Sequence, residues 1–395
     1  MKSMRIDQNV LRLSMAQAFA GANSAVVYAT GAIIGNELAP SPSLATMPIS
    51  IFVAGMAMAT IPAGIIARRY GRRVAFMTGN ACGVAVGLLA AAGILLASFW
   101  LFCVGMLFGG AYAAIVLTFR FAVADCVPLE KRARALSTVM VGGVLAGVLG
   151  PQLANITMNL WPPHAFAVTY IAAAVVAALS AVVLRGVKFS FHTPEVVTGG
   201  RTLSEILCQP RLLTAMLSGM VSYMMMNFLM TSAPLAMDLC GITRAASNMG
   251  IQWHIVAMYA PSFFTGRLIS RFGAPRIVLS GLAFIALAAF AGLSGLDVAH
   301  FWTSLILLGI GWNFGFLGSS ALVLECHSPE ERTRVQSVND FVVFGSLVIG
   351  SFASGGLLST HGWVAVCIVA FFPVATAALA IALLPAWRVR GAQSA

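Results

Sequence analysis

Charged residues are scarce in this chain of 395 residues: 9% are Asp, Glu, Lys or Arg, whereas 59% are hydrophobic. A soluble domain usually carries about a quarter charged residues, so this composition excludes a soluble globular protein. The apolar residues come in runs of about 20, which also excludes an outer-membrane barrel, whose strands alternate apolar and polar positions. The sequence therefore predicts an all-α polytopic membrane protein without a large water-soluble domain.

Twelve apolar segments are long enough to cross a bilayer, and we name them spans 1 to 12 in chain order. They lie near residues 12–35, 44–66, 75–97, 99–123, 136–158, 164–186, 211–236, 249–270, 276–295, 301–324, 337–359 and 362–386. An even number of spans puts both termini on the same side of the membrane.

Basic residues are almost missing from one side of the predicted membrane. Of the 23 Lys and Arg residues, 22 fall on the side of the termini, and Arg244 lies on the opposite side. The positive-inside rule therefore predicts cytoplasmic termini. The net charge of +11 then reflects topology, so the lipid bilayer is a predicted partner and nucleic acid is not.

Sequence features of enzymes and of stable metal or disulfide frameworks are also missing. There is no nucleotide-binding loop, nucleophile motif or pair of carboxylates, and the seven cysteines include no C-x-x-C spacing. Cys240 and Cys367 near the outer ends, with Cys126 and Cys326 near the cytoplasmic mouth, could relay a soft metal ion; inert thiols are the alternative. We predict that the protein is not an enzyme.

Two sets of residues repeat at a nearly constant distance along the chain. Gly64 with Arg69-Tyr70-Gly71-Arg72-Arg73 recurs as Gly266 with Arg271-Phe272-Gly273 and Arg276, at an offset of 202 residues in the matched part. Asp125-Cys126, Glu130, Arg132 and Arg134 recur 200 residues later as Glu325-Cys326, Glu330, Arg332 and Arg334. The repeat predicts an N-terminal six-helix half (1–186), a cytoplasmic connecting loop (187–210) and a C-terminal half (211–395). Parallel repeats of this kind are typical of secondary transporters, whose substrate site lies near the midplane.

The segment 64–73 resembles the G-x-x-x-D-R-x-G-R-R signature of the major facilitator superfamily, with Arg68 at the usual Asp position. The resemblance implies a twelve-helix fold and a latch on the cytoplasmic face, in which Arg72 pairs with Asp125 and Arg276 pairs with Glu325. Solvated arginines that only set the topology are the alternative. The predicted latch residues are Gly64, Arg69, Gly71, Arg72, Asp125, Arg276, Glu325 and Asp340, the last facing Arg68.

Methionine is concentrated in one window. Nine of the 19 methionines lie between Met216 and Met258, and none follows. Met226 and Met230 share one face of span 7, and His254 and Met258 share one face of span 8 at matching depths. Thioether and imidazole are ligands suited to Cu(I), whereas methionine packing in a core is the alternative.

These residues resemble the M-x-x-x-M and H-x-x-x-M pair of the CcoA-like bacterial copper importers. The resemblance implies that Met226, Met230, His254 and Met258 bind copper as the transported substrate. It also implies no resident cofactor, a place in the bacterial inner membrane, a supply of copper for cytochrome c oxidase assembly and a cytoplasmic copper chaperone as partner.

Two alternatives stay open. Riboflavin transporters belong to the same wider group, and Trp253, Tyr259, Tyr223, Trp312 and Asn313 would suit an aromatic cavity for a flavin. A membrane sensor or assembly factor that transports nothing is the other. Acidic residues are missing from the middle of the spans, and Asp340, near a cytoplasmic end, is the one carboxylate placed inside a span. We therefore expect uptake of a monovalent cation by alternating access, assisted by the inside-negative membrane potential, with proton coupling as the alternative.

Overall fold

The computed structural model describes residues 8–119, 122–123, 132–187, 201–328 and 331–383. Regular structure in these ranges is helical. The helices in the N-terminal half are Gln8–Leu38, Met47–Tyr70, Arg72–Leu95, Phe99–Val116, Arg132–Thr157 and Ala167–Arg185. They correspond to spans 1 to 6, and a short 3-10 helix, Pro42–Leu44, precedes span 2.

The C-terminal half begins with the short helix Leu203–Leu207. It continues with Pro210–Leu239, Arg244–Tyr259, Ser262–Phe272, Ala274–Ser294, Val298–Leu324 and Arg332–Leu383. Span 8 is divided at Ala260 and Pro261 into two helices. The last range contains spans 11 and 12, separated by the non-helical backbone of Gly362.

Nine helices in the described ranges are long and apolar enough to cross a membrane. The longest of them contains two spans, span 8 is divided, and the apolar part of span 5, Val141–Thr157, is shorter than the others. With these three cases counted, the helices account for all twelve predicted spans. The predicted all-α architecture of twelve spans in two six-span repeats is confirmed.

The repeat is visible in the backbone at equivalent turns. Gly71 joins spans 2 and 3 with φ 88°, and Gly273 joins spans 8 and 9 with φ 83°. The preceding aromatic ring lies under an arginine in both turns: Arg69 over Tyr70 at 5.5 Å and Arg271 over Phe272 at 5.2 Å. Glycine is favoured at both turns because a positive φ places a Cβ atom too close to the backbone.

The chain forms two compact units, and the first consists of Met1–His192 and Pro234–Ala260. Span 1 packs against spans 5 and 6, while spans 2 and 3 both pack against span 4. A buried cluster around Phe76, Tyr112 and Phe119 fills the inner part of this unit. This unit also contains the end of span 7 and the first half of span 8, which we call the outer hairpin (234–260) because their turn lies on the predicted outer side. The first half of span 8 packs against spans 5 and 1.

The second unit consists of Thr193–Ala233 and Pro261–Ala395. Spans 9 and 10 are in the closest contact: a Cβ atom on Gly281 would lie 2.2 Å from the backbone nitrogen of Gly315. Span 7 is tied to span 11 by hydrogen bonds from Asn227 to the Leu347 carbonyl and between Ser232 and Ser354. The predicted halves, 1–186 and 211–395, were defined by the sequence repeat, whereas these two units are defined by which residues are in contact.

Candidate functional site

The four predicted copper ligands are all buried inside helices. Met226 and Met230 lie one turn apart on span 7, in the second unit, and His254 and Met258 lie one turn apart on span 8, in the first unit. A copper site that joins the two pairs stays a prediction. In the described ranges no group of three or more His, Cys, Asp or Glu residues is placed to hold a metal ion.

Three of the four cysteines of the predicted thiol relay lie in the described residues, and the relay stays a prediction. Cys367 is fully buried, and its sulfur lies 2.7 Å from the position of a Cβ atom on Gly292, so it packs between spans 12 and 9. Burial raises the pKa of the Cys326 thiol, which disfavours the thiolate that binds metal. Cys240 is exposed after the end of span 7. Cys126 lies outside the described residues.

Part of the predicted latch lies in the described residues, and one of its ion pairs differs from the prediction. Glu325 pairs with Arg211 at 3.5 Å, and the described residues show no ion pair between Glu325 and Arg276. Arg211 begins span 7, so Glu325 at the end of span 10 reaches a neighbouring helix end. Asp125 and the side chain of Arg68 lie outside the described residues, so their pairings with Arg72 and Asp340 stay predictions. Asp340 accepts a hydrogen bond from Asn339 at 3.3 Å.

An ion pair that the sequence did not reveal anchors the end of the connecting loop. Arg201 donates two hydrogen bonds of 2.8 Å to Glu331, and the Ser328 amide donates another at 3.0 Å. These bonds hold the pKa of Glu331 far below its usual range. A capping box, in which Thr202 and Glu205 bond each other's backbone, then begins the helix Leu203–Leu207. The Thr-x-x-Glu spacing is the signal that could have predicted this helix.

The outer hairpin meets span 5 through paired amides. Gln152 donates to Gln252 at 2.8 Å, and Asn248 donates to Asn155 at 2.6 Å. Each helix presents its two amides three or four residues apart, so the two pairs follow one seam. Further along the seam glycines of span 5 leave room, since Cβ atoms on Gly143 and Gly147 would touch Tyr259 and Ile255.

Arg244, the basic residue predicted to lie on the side opposite the termini, begins span 8 at this seam. Its guanidinium pairs with Glu37 at the end of span 1, lies 3.8 Å from Asp238, and sits over the Phe166 ring at 5.4 Å. The Thr243 side chain caps the helix by accepting from the Ala246 amide at 3.3 Å. Arg244 is therefore a structural contact of the first unit as well as a topology signal.

Four aromatic side chains gather near the middle of spans 7, 10 and 11 in the second unit; we call them the aromatic cluster (Tyr223, Trp312, Phe316 and Phe344). Tyr223 stacks on Phe316 with centroids 5.0 Å apart and 23° between planes. Trp312 stacks on Phe316 at 5.4 Å and 14°, and Phe344 meets Tyr223 edge-on at 6.0 Å. Sequence analysis identified Tyr223 and Trp312, but it missed Phe316, although Trp312-x-x-x-Phe316 is a helix-face spacing.

The side chain of Asn313, the neighbour of Trp312, is hydrogen-bonded to span 8. Its amide nitrogen donates to Ser262 at 2.7 Å, and its amide oxygen accepts from Thr265 at 2.6 Å. Both partners lie in the first turn of the second helix of span 8, directly after the break at Pro261. Trp253 and Tyr259, the other predicted aromatic residues, belong to the first unit, where Trp253 is exposed.

Solved transporter structures share this fold. The xylose transporter XylE of E. coli, in a partially occluded inward-open conformation, aligns with a TM-score of 0.73 at 13% identity, over 97% of both chains. The nucleoside transporter NupG aligns with a TM-score of 0.76 at 12% identity, over 95% of this chain and 99% of that chain. These likenesses concern the fold alone.

Sequence comparison gives the family. Residues 13–312 and 215–393 match the Major Facilitator Superfamily in two overlapping alignments. The chain is 44% identical to the riboflavin transporter RfnT of Brucella anthropi over 90% of both proteins. It is 28% identical to YdeG of Bacillus subtilis, an uncharacterised transporter of this type, over 90% of this chain and 87% of that protein. On the extent of the family match and of the similarity to RfnT, the chain belongs to the major facilitator superfamily.

Proposed function

We propose that this protein transports riboflavin into the cytoplasm by alternating access. The observation that carries the proposal is the 44% identity to RfnT, a riboflavin transporter, which extends over 90% of both chains. A similarity of this length extends over most of the chain rather than over one motif. The superfamily places the protein among membrane transporters, and the proposal adds the substrate.

The distribution of charge supports a neutral substrate. The twelve acidic residues lie in loops or near the ends of the spans, so the middle of the membrane offers no carboxylate to a cationic substrate. Riboflavin is uncharged near neutral pH and needs no such partner. Its flat ring system instead needs apolar and aromatic surface with a few polar groups.

Copper import, predicted from the spacing of Met226, Met230, His254 and Met258, is the competing hypothesis. The relatives reported above include a riboflavin transporter but none named for copper. Another methionine of the same window packs against a neighbouring helix: the Met224 side chain lies against Gly350 of span 11. We therefore favour riboflavin over copper as the substrate, and transport over a sensor role. A copper chaperone is then not proposed as a partner.

Uptake by purified protein in liposomes tests the proposal. We expect saturable uptake of labelled riboflavin that excess unlabelled riboflavin suppresses, and no uptake of Cu(I) above that of empty liposomes. Met230→Leu and His254→Ala should leave Cu(I) entry at this background level, and Met230→Leu, which keeps most of the volume, should transport riboflavin nearly as wild type does. Copper uptake that both substitutions abolish, without riboflavin uptake, would establish the competing hypothesis.

A further inference from the structure

Three rings of the aromatic cluster, those of Tyr223, Trp312 and Phe316, are nearer to parallel than the rings of the other described aromatic pairs. Trp312 and Phe316 are 14° from parallel, and Tyr223 and Phe316 are 23° from parallel, whereas Phe102 and Tyr170 in the first unit meet at 86°. Tyr223 and Trp312 are 36° from parallel, so the three ring planes run in similar directions. Rings in similar planes offer their faces to a flat aromatic molecule that stacks with an offset.

The close approach of spans 7 and 10 produces this alignment. A Cβ atom on Gly315 would lie 2.3 Å from the hydroxyl oxygen of Ser222, so a side chain there would displace Ser222 or separate the two helices. Tyr223 and Phe316 are the next residues on their helices, and the contact brings their rings together. Both rings are half-buried, whereas Trp312, which contacts both of them, is buried. Tyr223 and Phe316 are therefore the accessible rings of the three.

The position along the membrane agrees with a substrate site. Trp312 lies near the middle of Val298–Leu324, and Tyr223 lies near the middle of Pro210–Leu239. Substrate sites of transporters built from repeats lie near the midplane, next to interrupted helices. Span 8 is interrupted at Pro261, and Asn313, the neighbour of Trp312, bonds the first turn after the interruption.

We infer that Tyr223 and Phe316, supported by Trp312, form the surface on which the flat tricyclic ring of a flavin stacks. This inference rests on the proposed riboflavin transport and assigns part of the binding site to the second unit. The amide of Asn313 is occupied by Ser262 and Thr265, so it positions the helix rather than the flavin. Ring stacking then supplies affinity, and the ribityl chain is held elsewhere.

Binding to the purified full-length protein tests the inference, with flavin fluorescence quenching as the signal. The probes are riboflavin, lumichrome, which keeps the ring system without the ribityl chain, and ribitol, which keeps the chain alone. We expect Phe316→Leu and Tyr223→Leu to weaken riboflavin and lumichrome binding about tenfold, in line with the strength of aromatic stacking. Phe316→Tyr, which keeps the ring, should bind nearly as wild type does, and ribitol should not displace lumichrome.

Phe314→Leu is the matched control, because Phe314 lies two residues from Phe316 and packs edge-on against Phe264 and Phe284 instead. It should change riboflavin binding less than about twofold, since its packing is remote from the stacked rings. Unchanged binding in Phe316→Leu and Tyr223→Leu, with riboflavin bound by wild type, would overturn the inference and leave the proposed function standing. Absence of both riboflavin binding and riboflavin uptake in wild type would overturn the two together.

Discussion

Glu331 shows how one buried carboxylate can organise a loop. Its side chain is 2% exposed, whereas that of its partner Arg201 is 46% exposed, so the acid depends on its hydrogen bonds more than the base does. The guanidinium and two backbone amides, of Arg201 and Ser328, all donate to this one carboxylate. Removing its charge leaves these donors with a weaker acceptor.

We predict that Glu331→Gln lowers the melting temperature of the purified protein at pH 7. The pKa of Glu331 is lowered in the folded protein, so its contribution is complete above the unfolded value of about 4.3 and declines as the pH falls below it. The difference from wild type should therefore shrink below about pH 4. Thermal unfolding in detergent across this pH range measures the effect.

Glu325→Gln is the control for this experiment. Its pair with Arg211 is longer, at 3.5 Å, and both side chains are partly exposed, so a change of less than about 1 kcal/mol is expected. If the Glu331→Gln protein had the melting temperature of wild type at pH 7, the role assigned to the Arg201–Glu331 ion pair would be contradicted.

Among the elements, the glycine turns between spans 2 and 3 and between spans 8 and 9 test the repeat directly. We predict that Gly71→Ala and Gly273→Ala each destabilise the protein by about 1–2 kcal/mol, because both positions have positive φ. The two losses should be similar, since the turns have similar backbones. Melting temperature and yield in the membrane fraction measure them.

The repeat also supplies matched controls. Gly64 and Gly266 occupy equivalent positions inside helices, and a Cβ atom at either would meet nothing within 4 Å. Gly64→Ala and Gly266→Ala should be neutral or stabilise the protein by up to about 1 kcal/mol. If Gly71→Ala were as stable as Gly64→Ala, the strained turn would not be part of the folded state.

Sequence patterns predicted the spans better than their ends. Span 8 was predicted over 249–270, whereas its first helix begins at Arg244 and is interrupted before Ser262. Hydropathy detects the apolar crossing, but helices extend beyond it wherever a cap such as Thr243 stabilises the end. The interruption was missed because Pro261 lies in an apolar stretch, where a proline can equally sit inside a continuous helix, as Pro151 does in span 5.

The candidate site was predicted only in part for a related reason. A spacing such as Met226-x-x-x-Met230 fixes which side chains share a helix face, but not what that face meets. The stacking of Tyr223 on Phe316 depends on the meeting of spans 7 and 10 at Gly315, which no local pattern reveals. Likewise, Glu325 pairs with Arg211 because the end of span 10 and the start of span 7 are adjacent in space but distant in sequence.

For the whole molecule, the distribution of basic residues predicts the orientation in the membrane. A reporter fused after the C-terminus should be cytoplasmic, and one inserted after Ile242, in the turn of the outer hairpin, should be outside. Alkaline phosphatase, active outside, and green fluorescent protein, fluorescent inside, distinguish the two locations. Equal location of both reporters would contradict the arrangement of twelve spans with cytoplasmic termini.

Because the outer hairpin belongs to the first unit, that unit is completed late in biosynthesis. Gln152 and its partner Gln252 are 100 residues apart, and Asn155 and Asn248 are 93 apart. At about 5–20 residues per second, span 5 leaves the ribosome about 5–20 s before the helix that satisfies its amides. During that interval a newly inserted N-terminal half has polar side chains with no permanent partner. Translation must therefore pass well into the second repeat before the first unit can be complete.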